Sequence, residues 1–134
     1  MRPSVLLADD HAMVAEALGR LLARDVNLLA TVSDGAQLVE RARLLRPDII
    51  VADVNMPAMS AFEAMRQLKA EGLPARFIFI TAHADAPMAA QALLAGASGF
   101  VFKQAAGEDL LDAIHAAVRG ETYLSPAIKR RSPA

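Results

Sequence analysis

A chain of 134 residues, 54% hydrophobic and 22% charged, suits one domain with its own core and excludes a disordered segment. Its net charge of -1 leaves no clustered basic face for nucleic acid, and the absence of cysteine excludes a disulfide framework and a thiolate metal centre. No apolar run reaches the roughly 18 residues that span a bilayer, and the opening MRPSVLLADD meets acids too soon for a signal peptide, so a cytoplasmic protein with no membrane partner is expected.

Short apolar runs alternate with longer amphipathic ones. SVLLA (4–8) predicts a strand, and HAMVAEALGRLLAR (11–24) a helix with Val14, Leu18, Leu21 and Leu22 on one face. NLLATV (27–32) predicts a second strand, and GAQLVERARLLR (35–46) a second helix, which Pro47 stops. DIIVA (48–52) predicts the third strand. Its run from Ile49 to Ala52 has no alternation, the pattern of a strand buried on both faces, and it delivers a carboxylate, Asp53, into the next loop. A helix over about 60–71 ends at Gly72 and Pro74, and RFIFI (76–80) follows as the fourth strand. Pro87 opens a helix that runs to about Leu94, where AGASG closes it. FVF (100–102) is the fifth strand, and GEDLLDAIHAAVRG (107–120) the last helix, with Leu110, Leu111, Ile114 and Val118 facing inward. Residues 1–120 are expected to form the domain and 121–134 a linker or tail, in which the basic run at 129–131 is solvated.

Five strands alternating with five helices predict an α/β fold: a flavodoxin-like, doubly wound, five-stranded parallel sheet of order 2-1-3-4-5. Ligands of such sheets bind outside the carboxyl ends of the strands. The residues expected there are Asp9 and Asp10 after the first strand, Asp53 after the third, Thr81 after the fourth and Lys103 after the fifth. Singly, each has an ordinary structural reading: Asp10 as a helix N-cap, Asp53 as a turn residue, Thr81 as a loop cap, Lys103 as a solvated strand end. Those readings do not explain why all of them fall on one edge of one sheet. Three acids so close raise one another's pKa unless a cation settles them, and an all-oxygen donor set favours Mg²⁺. His11, His83 and His115 lack metal-ligand spacing; His115 is expected at the surface or in packing, and Met56 and Met59 in loop packing.

The DD after the first strand, DVNMP after the third, TA after the fourth and K after the fifth resemble the receiver domain of two-component response regulators. The wording DDHAMVAEAL, GASGFVFK and EDLLDAIHAAVRGETYLSP is similar to the NarL/FixJ/LuxR-type subgroup, and the resemblance covers about residues 3 to 126. It implies a phosphorylation-dependent switch served by a sensor histidine kinase, with Asp53 as phosphoacceptor. Asp10, Asp53 and the carbonyl of Asn55 would hold Mg²⁺, with Asp9 assisting through water. Lys103 and Thr81 would contact the phosphoryl group, and Phe100 would fill the aromatic switch position, turning inward on activation. Self-association as a homodimer is implied. DNA is expected to be reached only through a helix-turn-helix output domain, which the 134 residues do not include.

Three positions depart from the family pattern. Ala61 stands where glycine is usual, which strains the loop if that position needs a positive φ. Gln104 replaces a proline, which argues against a cis peptide there, and Phe100 lacks the hydroxyl of the usual tyrosine. A phosphohydrolase with an aspartyl nucleophile, of the haloacid dehalogenase kind, needs an acid two residues beyond Asp53, and Asn55 cannot titrate. A flavin mononucleotide carrier needs a Ser/Thr/Gly-rich phosphate loop where this chain has DDHAM. The remaining alternative is a receiver-like interaction module not controlled by phosphorylation.

Overall fold

The computed structural model describes residues 2–83 and 86–129, leaving aside the side chains of residues 127 and 129. The elements in chain order are β1 (Ser4–Ala8), α1 (Ala12–Leu22), β2 (Asn27–Val32), α2 (Gly35–Leu45), β3 (Ile49–Asp53), α3 (Ala61–Ala70), β4 (Arg76–Thr81), α4 (Ala86–Leu94), β5 (Gly99–Phe102), α5 (Ala106–Val118), β6 (Tyr123–Leu124) and the short α6 (Pro126–Lys129). The strands form one parallel sheet of order β2-β1-β3-β4-β5-β6. The predicted order of the first five strands therefore holds, with a short sixth strand added at the edge.

Successive residues of a strand point to opposite faces, so a strand covered on both sides must be apolar throughout. On one face Leu6, Ile50, Phe77, Phe79 and Phe100 pack under α2, α3 and α4 with Leu38, Met65 and Leu68. On the other face Val5, Leu7, Ile49, Val51, Ile78 and Ile80 pack under α1 and α5 with Leu18, Leu22, Leu110 and Ile114. Each fully buried side chain of this size contributes about 1.5–3 kcal/mol, which makes the five main strands a rigid platform.

Local signals set the helix ends. Asp34 accepts a hydrogen bond from the Gln37 amide at 2.7 Å, and Ser60 accepts one from the Glu63 amide at 3.2 Å, each capping a helix start. Arg46 closes α2 in the left-handed region at φ 48°, just before Pro47. The N-cap position of α1 is His11, so Asp10 is not the cap.

Two expectations about buried faces need correction. Val118 is 55% exposed. At 100° per residue Ala117, and not Val118, continues the stripe of Leu110, Ala113 and Ile114, and Leu111 lies at its margin. On α1 it is Ala15 that joins Leu18 and Leu22 in full burial, while Val14 and Leu21 are half-buried.

The segment expected as a tail continues the sheet. Tyr123 and Leu124 pair with Gly99 and Phe100, and Ile128 is fully buried in the larger core. Arg130 and Arg131 of the basic run lie outside the described residues. A polar knot holds this segment. The Ser125 hydroxyl donates to Asp109 Oδ2 at 2.8 Å and accepts from the Phe102 amide at 2.9 Å, and the Tyr123 hydroxyl donates to Asp109 Oδ1 at 3.1 Å. Burial, and then the bond to Asp109, push the Tyr123 phenol up to about 12, so it remains a donor far above neutral pH. Ser125→Ala leaves a buried amide and a carboxylate oxygen short of a partner, and urea unfolding should show a loss of about 1–3 kcal/mol. An unchanged midpoint would mean that the knot does not tie the segment down.

Candidate functional site

Strands β1, β3 and β4 each end on a polar side chain that turns back on its own backbone. Asp9 Oδ1 accepts from the His11 amide at 2.8 Å, Asp53 Oδ1 from the Asn55 amide at 3.0 Å, and Thr81 Oγ1 from the His83 amide at 3.2 Å. This two-residue Asx or Ser/Thr turn ends each strand and fixes the side chain at the sheet edge. Asp9, Asp53 and Thr81 are buried at 2–3% exposure.

The fifth strand contributes the cation. Lys103 opens a 3₁₀ turn directly after β5. Its Nζ donates to Asp53 Oδ2 at 2.7 Å and lies 3.0 Å from Asp9 Oδ2. The second contact is an ion pair that sets the ammonium against the buried Asp9 Oδ2. Burial works to lower the Lys103 pKa, but Asp53 and Asp9 outweigh it and hold the ammonium above its ordinary value. Asp10 completes the cluster with a carboxylate one-third exposed.

Three carboxylates face one ammonium, which leaves about two negative charges uncompensated. Asp9, Asp10, His11 and Asp53 each offer a ligand atom, all within 4.8 Å of one another. The predominance of carboxylate oxygens in this donor set fits a hard divalent cation.

The structure thus brings Asp9, Asp10, Asp53 and Lys103 together, with Thr81 at the end of the strand next to Asp53. Asn55 is exposed at the mouth of the site. Phe100 differs from expectation: it is already fully buried, with its ring centroid 6.4 Å from that of Phe79, so no inward turn remains for it to make. Ala61 also differs. It is the first residue of α3, and the positive φ of this loop falls on Ala58, at 71°. A left-handed residue with a Cβ costs roughly 1–2 kcal/mol. The loop is held from outside as well, because the Gly35 amide donates to the Pro57 carbonyl at 3.3 Å and a Cβ on Gly35 would lie 1.9 Å from the Met59 carbonyl oxygen. No peptide bond among the described residues is cis, including the one before Gln104. Met56 and Met59 pack against the core, and His115 is at the surface, as expected.

His11 is the residue that sequence reasoning missed. Its Nδ1 lies 3.2 Å from Asp9 Oδ1, 3.2 Å from Asp10 Oδ1, 3.8 Å from Asp53 Oδ2 and 3.4 Å from Lys103 Nζ. The available signal was its position directly after the acid pair, where the first helix begins.

Comparison with known proteins gives consistent matches. The family model for the response regulator receiver domain matches residues 5–115. The chain is 35% identical over 127 residues to the nitrate/nitrite response regulator protein NarL of Escherichia coli K12, covering 93% of this chain and 59% of that protein. The chain thus spans about three-fifths of the length of this relative. A LuxR-family two-component response regulator from Aurantimonas sp. SI85-9A1 superposes with a TM-score of 0.91 at 32% identity, over 97% of this chain and 94% of that one. A NarL receiver domain from Mycobacterium tuberculosis superposes with a TM-score of 0.84 at 29% identity, over 90% and 98% of the two chains.

The lysine clamp has a pH signature. Its folded pKa is raised above the unfolded value of about 10.4, so its contribution is complete below that pH and is lost as pH rises through the folded value. Lys103→Met should cost about 3 kcal/mol near neutral pH, since it strands two buried carboxylates. The gap between wild type and variant in urea unfolding should stay constant to about pH 10 and then shrink. A gap that closes below pH 10 would show that the ammonium is not held by the two acids.

Proposed function

The chain belongs to the response regulator receiver family, and on that premise we propose that it is a phosphorylation-dependent switch in which Asp53 accepts a phosphoryl group from a sensor histidine kinase. The observation that carries the reading is the placement of Asp53: buried at the end of a rigid strand, gripped by Lys103 at 2.7 Å, and adjacent to two further carboxylates. Family membership and the acid-lined crevice support a signalling role; the donor, the ion and the output belong to the proposal.

In the transfer, a carboxylate oxygen of Asp53 bonds to phosphorus while the bond from phosphorus to the donor's imidazole nitrogen breaks, and the imidazole keeps the electron pair. Such a transfer depends mainly on alignment and charge neutralisation. Asn55 and Lys103 hold the two oxygens of Asp53 and so set its orientation. Lys103 is released to follow the incoming phosphoryl oxygens, and the Thr81 hydroxyl, already at the crevice edge, provides a donor once it leaves the His83 amide. Mg²⁺, held by Asp10, Asp53 and the Asn55 carbonyl with Asp9 assisting, would neutralise charge on the transferred group when bound.

The phosphoryl group adds roughly -1.5 to -2 charges and three acceptor oxygens at this edge. Thr81 is the natural receiver of that change. Because Phe100 is already inside, the conformational response is expected in the segment after β4 and in the packing of α4 on β5, with Phe100 as a fixed wall. Altered self-association, cytoplasmic action and relay to a DNA-binding output domain complete the proposal.

The test uses a small phosphodonor with Mg²⁺ and intact mass. Wild type should gain one phosphoryl group and Asp53→Asn none. Equal labelling of the variant would remove Asp53 from the role, and labelling of neither would favour an interaction module without phosphorylation control.

A further inference from the structure

We infer that Ser125 is a positioning residue for Lys103: its hydroxyl fixes the end of β5, and the lysine reaches Asp53 and Asp9 from that fixed end. The inference takes the use of the lysine from the proposed function, but the placement itself does not depend on phosphorylation.

The need arises from the shortness of β6. On its inner side β5 pairs with β4 as far as Thr81 opposite Phe102. On its outer side β6 covers only Gly99 and Phe100. The Ser125 amide still donates to the Phe100 carbonyl at 3.1 Å, and a parallel ladder would next offer the Ser125 carbonyl to the Phe102 amide. That carbonyl is already taken, because the chain turns into α6 and the Ile128 amide donates to it at 3.0 Å. The Ser125 side chain supplies the missing rung and accepts from the Phe102 amide at 2.9 Å.

The hydroxyl is held in that role. Ser125 is fully buried, and its proton is committed to Asp109 Oδ2 at 2.8 Å, which leaves a lone pair for the amide. Asp109 stands in the first turn of α5, where the helix dipole favours its charge, and its other oxygen accepts from Tyr123. The outer side of the end of β5 thus rests on one side chain.

The next residue is the lysine. Phe102 (φ -72°, ψ 125°) is the extended residue before the 3₁₀ turn that Lys103 opens, so its amide is the point at which β5 is held just ahead of the lysine. A lysine head on its flexible stem gives up much rotamer freedom when it is fixed. Here the ammonium meets Asp53 Oδ2 at 2.7 Å and Asp9 Oδ2 at 3.0 Å at once. Holding both contacts requires a fixed Cα, and a loosened strand end lets the ammonium exchange an acid for water. Ser125 spends its hydroxyl on Asp109 and Phe102, so it acts on the lysine through the backbone.

The test follows the side-chain ammonium resonance of Lys103 at neutral pH in the whole, isotope-labelled chain, assigned by its loss in Lys103→Met. An ammonium held between two buried acids exchanges its protons slowly with water, and wild type should show this signal. Ser125→Ala should speed the exchange about fivefold or more. Ser125→Cys, which fills the same space with a weak acceptor, should do the same. Two controls lose stability without cutting the bond to Phe102: Tyr123→Phe within the knot and Val39→Ala on α2. Both should keep the wild-type exchange rate within about twofold. If Ser125→Ala does not fold, Ser125→Cys decides alone. Wild-type exchange in the folded Ser125 variants, equal acceleration in the controls, or a wild type without the slow signal would overturn the inference. The readout uses no phosphodonor. A wild type that shows the held ammonium yet takes up no phosphoryl group removes the proposed function and leaves the placement by Ser125 standing.

Discussion

Everything at the functional end of the molecule follows from a charge imbalance. Three carboxylates meet at the edge of one sheet and a single ammonium stands among them. Left to themselves they would spread into solvent or take up protons. They cannot spread, because Asp9 and Asp53 are extensions of strands buried on both faces, and each is tied to the amide two residues ahead. The apolar core therefore holds the acids in a position they would not choose, and a bound cation would relieve that stored repulsion. The same repulsion keeps Asp53 from being simply a salt-bridge partner of Lys103. On the proposed function, a counter-charge arriving from outside would free the lysine to serve the phosphoryl group.

The rest of the fold is arranged around this edge. The loop that carries Asn55 is pinned to the start of α2 by the close approach of Gly35, and it contains the strained Ala58. A backbone held in an unfavourable region next to the proposed phosphoacceptor fits a loop that must keep one shape. At the other side, Lys103 directly follows Phe102, whose amide is bound by Ser125 of the last segment. The position of the lysine and the docking of the chain beyond α5 are thus neighbours in one hydrogen-bond chain, through Asp109 on α5.

Most of the fold could be read from the sequence, because unbroken apolar runs such as Ile49 to Ala52 have few alternatives in a chain of this size. The candidate site could be read for the same reason: if the strands are known, the residues at their carboxyl ends are known. What could not be read depends on angles and on side-chain direction. Val118 looked apolar and inward, but the helix turns it off the buried stripe. Tyr123 and Leu124 form a strand too short to show alternation. The positive φ lies on Ala58 and not at Ala61, and nothing in the identity of either alanine could say so. The place of His11 is set by the fold-back at the start of α1, a three-dimensional fact with no sequence period. Phe100 was placed correctly on β5, but its side-chain orientation was not legible.

The charge imbalance itself is most directly measured by thermal unfolding of wild type and Asp10→Asn, each with and without Mg²⁺. A ligand present at about 100 times its dissociation constant stabilises by roughly 2.7 kcal/mol, a shift of several degrees for a domain of this size. Wild type should be raised by Mg²⁺ to about that extent. Asp10→Asn should start higher in the absence of metal, because one repelling charge is gone, and should gain little when Mg²⁺ is added. A wild-type midpoint indifferent to Mg²⁺, together with an Asp10→Asn midpoint at or below it, would contradict the account.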